Sequence, residues 1–300
     1  RDVFFDFTEP VDGYGVDVDA LMATVRTRCE SKDFGDIEVA TAPIHSDVTV
    51  EKLKESLFLR GTASTTYKSK RRNTNRCHNL EKACGMVYGT VLQPGEEFSA
   101  NTILGDRTLS NGWKPAPAVI AGGADHEDQP GGGVCQTSST LFNAVVRADL
   151  EIVKRSAHSW PSSYVNKGED ATVNWPSLDF VFRNNGDYPV FVIAWYENQT
   201  VTVQIYGKLL PNGQTVDLES EVIKTIKPDD AVLYTLDASL PVGTRKAGRK
   251  KRTGYVVDTY KVYKDASGNV TEKKKLWTTT YRAMQDEILY NDGSGAASNE

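Results

Sequence analysis

Hydrophobic residues recur at intervals of three and four in two clear places along the chain, and each pattern predicts an amphipathic helix. The apolar positions are Val18, Leu21, Met22 and Val25 in the first helix, and Leu141, Val145 and Ala148, widened by Phe142 and Val146, in the second. Asp17 or Asp19 is a suitable cap for the first helix. The second, over residues 136–148, is the clearest helix of the sequence. Weaker patterns predict a helix over 75–88 and a short one that begins at Thr49.

Alternating and β-branched stretches predict strands elsewhere. These stretches are residues 3–7, 37–39, 180–182, 190–195, 201–206, 255–263 and 278–281. Turn residues at 184–187 separate the third stretch from the fourth, which predicts an antiparallel meander over 180–206. Ser267, Gly268 and Asn269 predict a turn that pairs the last two stretches.

The order of these elements predicts a multidomain α+β protein. Residues 1–66 form a small α+β unit, and residues 67–208 form a larger α+β domain with antiparallel strands. Residues 209–292, which include a linker at 211–213, are expected to form an all-β domain. The small, polar residues 293–300 are expected to be a disordered tail.

Composition and charge exclude some classes of protein. The 300 residues include 39% hydrophobic and 25% charged side chains, as is usual for a globular protein. With 35 basic and 40 acidic residues the net charge is -5, so nucleic acid is not an expected partner. No apolar run reaches the roughly 18 residues that span a bilayer. Because the sequence opens at Arg1 without a signal peptide, membrane attachment would need an anchor outside this sequence.

The four cysteines are predicted to be free thiols. They are too few for a disulfide framework, and no Cys-x-x-Cys pair indicates zinc binding. On a helix, Cys77 and Cys84 would lie about 10 Å apart, beyond the reach of a disulfide.

Cys135 carries the strongest chemical signal, because it follows Gly131, Gly132 and Gly133 at the start of a predicted helix. The N-terminal end of a helix favours a thiolate over a thiol. Glycine N–H groups can also approach the oxyanion of a tetrahedral intermediate. The alternative is that Cys135 is a small buried hydrophobic residue beside a tight turn.

A thiol nucleophile requires a base, and His158, in a polar turn after the same helix, is the best candidate. His126 ranks second, within an acidic stretch at 125–128 that is at most a weak metal-binding cluster. We therefore expect no metal and no cofactor.

The middle of the chain resembles a VanW domain. The matching residues are Asn75, Arg76, Asn79, Leu80, Gly89, Pro94–Glu96, Phe98, Ser99, Gly105–Thr108, Gly112, Gly131–Gln136, Arg155, His158, Ser159, Gly168, Asp170–Thr172 and Asp179. The C-terminal part resembles a G5 domain through Gly243, Gly248 and Gly254, followed by Tyr255–Tyr263 and Tyr281. The first part is similar to the peptidoglycan-binding domain that often precedes VanW.

The resemblance implies an exported bacterial L,D-transpeptidase that forms 3-3 cross-links through a cysteine thioester. It places the nucleophile at Cys135 and the base at His158, which Asp170 or Asp179 would orient. Arg107 and Arg155 could bind substrate carboxylates, although a surface or structural salt bridge is an alternative for each. Gly133, Gln136, Ser139 and Ser159 complete the expected oxyanion and substrate-binding set. Trp113, Trp160 and Trp175 could line a groove, although core packing is an alternative for each.

The implied partners are a tetrapeptide donor stem and an amine acceptor of peptidoglycan, with acylation by a carbapenem as a related reaction. The expected location is the bacterial cell wall or cell surface. The C-terminal part, which lacks cysteine and histidine, is expected to bind or space rather than to build the active site. Two alternatives stay open: a non-catalytic wall-binding or adhesion protein, and a thiol peptidase that acts on stem peptides.

Overall fold

The structure is a computed structural model that describes residues 3, 5–55, 57–67, 73–120 and 125–294, with the backbone alone at 119, 120, 125 and 126. Its helices are α1 (Val18–Ser31), α2 (Val50–Glu55), α3 (Thr74–Val87), α4 (Ala100–Leu104) and α5 (Val134–Arg147). The fold is α+β, with several antiparallel sheets. In the part of the chain so described, no helix is long and apolar enough to cross a membrane.

Seventeen strands run through the described residues. They are β1 (Gly13–Val16), β2 (Thr41–Ile44), β3 (Phe58–Thr66), β4 (Thr90–Leu92), β5 (Glu97–Ser99), β6 (Pro115–Ile120), β7 (Asp125–Pro130), β8 (Glu151–Lys154), β9 (Val181–Arg183), β10 (Val190–Glu197), β11 (Thr200–Gly207), β12 (Thr215–Ile226), β13 (Leu233–Leu236), β14 (Thr244–Ala247), β15 (Gly254–Lys264), β16 (Val270–Tyr281) and β17 (Glu287–Asn291).

The chain divides into two compact units between residues 56 and 57. In the first unit, β1 pairs antiparallel with β2, and Asp17 caps α1 by accepting a hydrogen bond from Ala20 N at 2.9 Å. The strands of this unit are therefore not the predicted stretches at 3–7 and 37–39, because within the described residues those positions form no strand. The capping role predicted for Asp17 is confirmed.

Strand β3 corrects the predicted first boundary at residue 66. It pairs along its length with β11, from Phe58 opposite Gly207 to Thr66 opposite Thr200. The sheet order is β3-β11-β10-β4, so this stretch belongs to the second unit. Backbone pairing with a strand more than a hundred residues away overrides the local sequence pattern that grouped it with the first unit.

The predicted meander is correct only in its second half. Strand β10 pairs with β11, whereas β9 lies between β5 and β8 in a separate sheet. The buried Asn184 explains the separation, because its side-chain amide donates to the carbonyl oxygens of Leu92 and Tyr188 at 3.0 and 2.8 Å. These bonds hold the chain in a loop between the two sheets instead of a hairpin.

Helix α5 lies at the centre of the core. Phe142 packs edge-on to Phe180, with ring centroids 5.7 Å apart, and its other neighbour is Trp277 of β16 at 5.5 Å. Leu218 of β12 belongs to the same buried cluster. Strands β12 and β16 therefore contribute to the core around α5. The predicted boundary at 209 does not separate two compact units.

The C-terminal part is built from strands, as its alternating pattern predicts. Strand β15 pairs antiparallel with β16, and the turn between them is held by Asp265 and Asn269. A second sheet of order β13-β17-β14 follows, in which β13 runs parallel to β17. The predicted tail lies largely outside the described residues, which end at 294.

Candidate active site

The glycine run before α5 is required by close packing. A Cβ on Gly132 would lie 2.0 Å from the carbonyl oxygen of Ala116 in β6. Gly133, the residue before the first turn of the helix, has a φ of 105°, and a Cβ there would meet Arg76 at 2.9 Å. Only glycine fits both positions. The run therefore lets the start of α5 approach β6 and an arginine of α3.

Cys135 lies in the first turn of α5, since the helix begins at Val134 rather than at the predicted residue 136. Its Sγ atom is 3.5 Å from Thr172 Oγ1 and 3.5 Å from the carbonyl oxygen of Val173. The side chain is partly buried against the core. Within the described residues, the backbone N–H groups of Gly133 and Cys135 donate no hydrogen bond, as expected at a helix N-terminus.

The segment that faces Cys135 is tied to α5 by two serines. Ser138 Oγ donates to the carbonyl oxygen of Ala171 at 2.6 Å, and Ser139 Oγ accepts from Ala171 N at 3.0 Å. The next residue, Thr172, donates its N–H to the carbonyl oxygen of Ser156 at 2.8 Å. Helix α5 and the two stretches around residues 156–158 and 170–173 thus meet at one place.

His158 is held by Asp170 at that place. The imidazole Nδ1 is 2.5 Å from Asp170 Oδ2, and the backbone N–H of His158 donates to the same oxygen at 2.6 Å. Ser162 Oγ lies 3.2 Å from Nδ1 as well. The histidine side chain is 9% exposed and the aspartate is fully buried. Because Nδ1 faces Asp170, Nε2 is the ring nitrogen left to act on the thiol of Cys135.

The electrostatics of this group favour a thiolate and an imidazolium. Burial by itself would raise the pKa of Cys135, but the hydrogen bond and positive charge of His158 outweigh it and lower that pKa to about 7. Burial by itself would lower the pKa of His158, but hydrogen bonds to Asp170 and Cys135 raise it to about 10. The pKa of Asp170 is held below its ordinary value, because His158 and Arg155 overcome the effect of burial.

Arg107 brings a positive charge towards this thiol. Its charge acts on Cys135, and its Nη1 donates to Asn101 Oδ1 and to the carbonyl oxygen of Gly105, each at 2.8 Å. The other terminal nitrogen, Nη2, is buried and has no hydrogen-bond partner in the described part of the chain. One terminal nitrogen of the guanidinium is therefore left without a partner among the described residues.

Three residues predicted to bind substrate have structural roles instead. Arg155 is 6% exposed, and all three of its side-chain nitrogens donate to protein oxygens. Gln136 is fully buried between Arg76 Nη2 at 3.0 Å and the carbonyl oxygen of Thr65 at 3.1 Å. Ser139 is fully buried on Ala171, as described above. The polar groups of these three side chains therefore form hydrogen bonds within the protein, where the sequence predicted contacts with a ligand.

The remaining predicted residues are distributed around the site or away from it. Asp179 accepts from Ser99 Oγ and from the N–H of Asn101, so it caps α4 and does not contact His158. Ser159 is exposed next to His158. Trp113 is buried in the core, whereas Trp175 is 43% exposed and Trp160 stacks with Arg252 at 3.9 Å. The side chain of His126 lies outside the described residues, so its proposed role stays a prediction.

Two tyrosines near the site are absent from the predicted site residues. Burial together with the negative charge of Cys135 raises the pKa of Tyr164. Tyr281, the last residue of β16, donates to Asp170 Oδ1 at 2.6 Å. An isolated tyrosine in a strand or loop is usually a packing residue, so only the tertiary contacts reveal either one. No group of three or more metal-binding side chains occurs among the residues that the structure describes.

Residues 75–206 match the family described as VanW like protein. The match includes the whole of the site built from Arg107, Cys135, His158 and Asp170, so these residues lie in a VanW-like domain.

Two curated relatives are similar to part of the chain. The chain is 38% identical to the uncharacterized protein YoaR of Bacillus subtilis (strain 168) over 142 residues. The alignment covers 47% of this chain and 46% of that relative. The chain is 28% identical to the vancomycin B-type resistance protein VanW of Enterococcus faecalis (strain ATCC 700802 / V583) over 144 residues. That alignment covers 46% of this chain and 52% of the relative. The chain thus spans about half the length of these relatives.

Among solved structures, one similar chain is described as the crystal structure of HP0197-G5. It is 18% identical, with a TM-score of 0.14, and the match covers 26% of this chain and 97% of that one. The G5 assignment of the C-terminal part stays a prediction.

Proposed function

We propose that this protein is a cysteine-dependent L,D-transpeptidase that forms 3-3 cross-links in peptidoglycan. The observation that carries the proposal is the Cys135–His158–Asp170 arrangement at the start of α5, in which a thiol with a lowered pKa meets an imidazole oriented by a buried carboxylate. This is the geometry of an activated sulfur nucleophile with its acid–base partner.

In the first half of the reaction, Cys135 Sγ attacks the carbonyl carbon of the third residue of a tetrapeptide stem. The carbonyl oxygen becomes an oxyanion, and the unpaired N–H groups of Gly133 and Cys135, at the positive end of the α5 dipole, are placed to receive it. His158 then gives its Nε2 proton to the departing nitrogen. D-Ala leaves and a thioester to Cys135 remains.

In the second half, the side-chain amine of a neighbouring stem attacks the thioester. His158, now neutral, takes the proton that the amine loses as the new amide bond forms. The C–S bond breaks, and the thiolate and imidazolium are restored. Because Asp170 is fully buried and accepts from both Nδ1 and the backbone N–H, it keeps the imidazole in the tautomer that both steps need.

Arg107 is the residue proposed to bind a substrate carboxylate. Its Nη2 is buried without a partner among the described residues, its charge interacts with that of Cys135, and a substrate carboxylate is proposed to pair with it. Carboxylates occur on D-Ala and on a diaminopimelate side chain of the stem, so either could be held by this arginine. Ser159, exposed beside His158, is a second proposed contact.

The comparisons are consistent with a function at the bacterial cell wall. One relative is named as a vancomycin resistance protein, and the VanW-like domain contains the site. We extend the proposal to an extracellular location at the cell wall or cell surface. The first unit, before residue 57, is proposed to bind peptidoglycan.

The experiment that tests this function incubates the full chain with a disaccharide-tetrapeptide and follows products by mass spectrometry. We expect a cross-linked dimer and free D-Ala from the wild type, and neither product from Cys135→Ala. Cys84→Ala and Cys29→Ala are matched controls, one buried and one exposed, and both should retain the reaction. A chelator should have no effect. Incubation with a carbapenem should add one equivalent of mass to the wild type and none to Cys135→Ala.

Two results would contradict the proposal. Undiminished dimer formation by Cys135→Ala would end the catalytic role of the thiol. Release of D-Ala without dimer, even at high acceptor concentration, would identify a thiol peptidase, because water rather than the amine would then resolve the thioester.

A further inference from the structure

The C-terminal sheet reaches the candidate site through the side chain of Tyr281. This residue is fully buried, and its hydroxyl lies 2.6 Å from Asp170 Oδ1. The other oxygen of the same carboxylate, Oδ2, is the one that holds His158. A strand 111 residues beyond Asp170 therefore contacts the group that orients the imidazole.

The direction of this hydrogen bond follows from a third contact. The backbone N–H of Gly168 donates to the Tyr281 hydroxyl oxygen at 2.7 Å. Since an N–H can only donate, the tyrosine oxygen accepts there, and its single proton is directed to Asp170. Burial and the negative charge of Asp170 raise the pKa of Tyr281, so the hydroxyl keeps that proton at neutral pH.

Thr279 and Trp277, which lie two and four positions before Tyr281, both contact Arg155. Side chains of a strand alternate between its two faces, so 277, 279 and 281 share one face of β16. Thr279 Oγ1 accepts from Arg155 Nη1 at 3.0 Å, and the Trp277 ring lies 4.9 Å from Arg155 Cζ. Arg155 in turn donates to Asp170 Oδ1 at 3.2 Å. One face of β16 thus provides the layer behind the Asp170 carboxylate.

We infer that Tyr281 is a positioning residue that orients the Asp170 carboxylate towards His158, an inference that rests on the proposed function. The hydroxyl anchors Oδ1 and so turns Oδ2 towards Nδ1 of the imidazole. Without it, Oδ1 keeps only the longer hydrogen bond from Arg155, so the carboxylate is held less firmly, its hydrogen bond to Nδ1 weakens, and the imidazolium loses part of its stabilisation. The thiolate of Cys135 is then favoured less. The C-terminal part therefore completes the active site, contrary to the spacing role that its composition suggests.

The test measures the rate of Cys135 alkylation by iodoacetamide against pH, in the full chain, for the wild type and Tyr281→Phe. The substitution removes one hydroxyl and leaves the ring. We expect the pH midpoint of alkylation to rise by about half a unit, a fraction of the roughly one to two units that a hydrogen bond to a charged group is worth, because the hydroxyl acts on Cys135 only through Asp170 and His158. Cross-linking near neutral pH should fall roughly 10-fold, with KM little changed.

Tyr263→Phe is the matched control. The Tyr263 hydroxyl donates to Asp149 Oδ1 at 2.8 Å, so the control also removes a tyrosine–aspartate hydrogen bond between the C-terminal sheet and the rest of the unit. It is remote from the Cys135 group and should leave the alkylation midpoint unchanged. Equal midpoints for Tyr281→Phe and the wild type, or a lower midpoint for Tyr281→Phe, would overturn the inference.

Thr279→Val is the second variant, for the case in which Tyr281→Phe does not fold. It removes the partner of Arg155 on the same face of β16 and should shift the midpoint in the same direction by a smaller amount. No shift in this variant would count against the inference in that case. An unperturbed midpoint near 9 in the wild type would instead contradict the proposed function, so the two failures are distinguishable.

Discussion

Helices α3 and α5 each have 14 residues, and each carries a cysteine that packs on the same core. Cys84 lies in the last turn of α3, whereas Cys135 lies in the first turn of α5. Burial, together with the negative charge of Glu81, raises the pKa of Cys84 to about 12. The pKa of Cys135 is lowered to about 7 although burial opposes the thiolate there as well.

The difference indicates that partners, and not burial alone, set the pKa of each thiol. Cys135 has a hydrogen bond to a charged imidazole and the positive end of a helix dipole. Cys84 lies near the negative end of the α3 dipole, and no cation acts to lower its pKa. Both thiols lose water, but only one receives positive charge in exchange.

Removal of the imidazole should make Cys135 resemble Cys84. In His158→Gln the pKa of Cys135 should rise towards the ordinary value of 9.0. At pH 7 the thiolate fraction would then fall from about one half to about one per cent, so alkylation should slow roughly 50-fold. The rate is measured with iodoacetamide, and Cys135→Ala shows how much labelling comes from other thiols. A rate equal to that of the wild type would mean that the helix terminus alone activates the thiol.

The pH dependence should separate the thiolate from its acid–base partner. Alkylation needs only the thiolate, so its rate should fall about 10-fold per pH unit below the pKa of about 7 and stay level above it. Cross-linking also needs protonated His158, so its rate should fall again above the pKa of about 10. Parallel measurements of both rates from pH 5 to pH 11, in one buffer series, would check this. Identical profiles would contradict the role of His158 as acid.

Arg107→Lys sharpens the comparison, because the proposed substrate contact beside Cys135 has no counterpart at Cys84. Lysine keeps the positive charge near the thiol but cannot present two parallel donors to a carboxylate. We expect KM for the tetrapeptide to rise about 10-fold, whereas the alkylation midpoint should stay in place. Steady-state kinetics and alkylation of the same preparation provide the two readouts. An unchanged KM would remove Arg107 from the substrate site.

Cys84→Ala should have the smallest effect on the reaction. The side chain is 2% exposed, so its loss leaves a small cavity and should lower the free energy of unfolding by about 1 kcal/mol. Urea unfolding of the variant and the wild type measures the difference. Cross-linking should be unaffected, and peptide mapping after alkylation of the native protein should find no label on Cys84. Native labelling of Cys84 would show that the buried thiol is reactive.

Local patterns predicted much of the secondary structure. Helices α1, α3 and α5 lie within two residues of their predicted starts, and strands β10, β11, β15 and β16 contain the predicted stretches. These elements depend on residues that are neighbours along the chain, so spacing alone reveals them. The two sheets to which β3 and β9 belong could not be predicted this way, because each depends on distant partner strands.

The sequence by itself also determined the chemistry at the start of α5, because the glycine run, the cysteine and the helix are consecutive. Only the tertiary structure decided that Asp170 rather than Asp179 meets His158 and that Arg155 is used in packing. It also decided that Tyr281 of the C-terminal sheet lies behind the candidate site. The physical reason is that a buried polar group must find a partner wherever the fold brings one near, and that partner can lie anywhere along the chain.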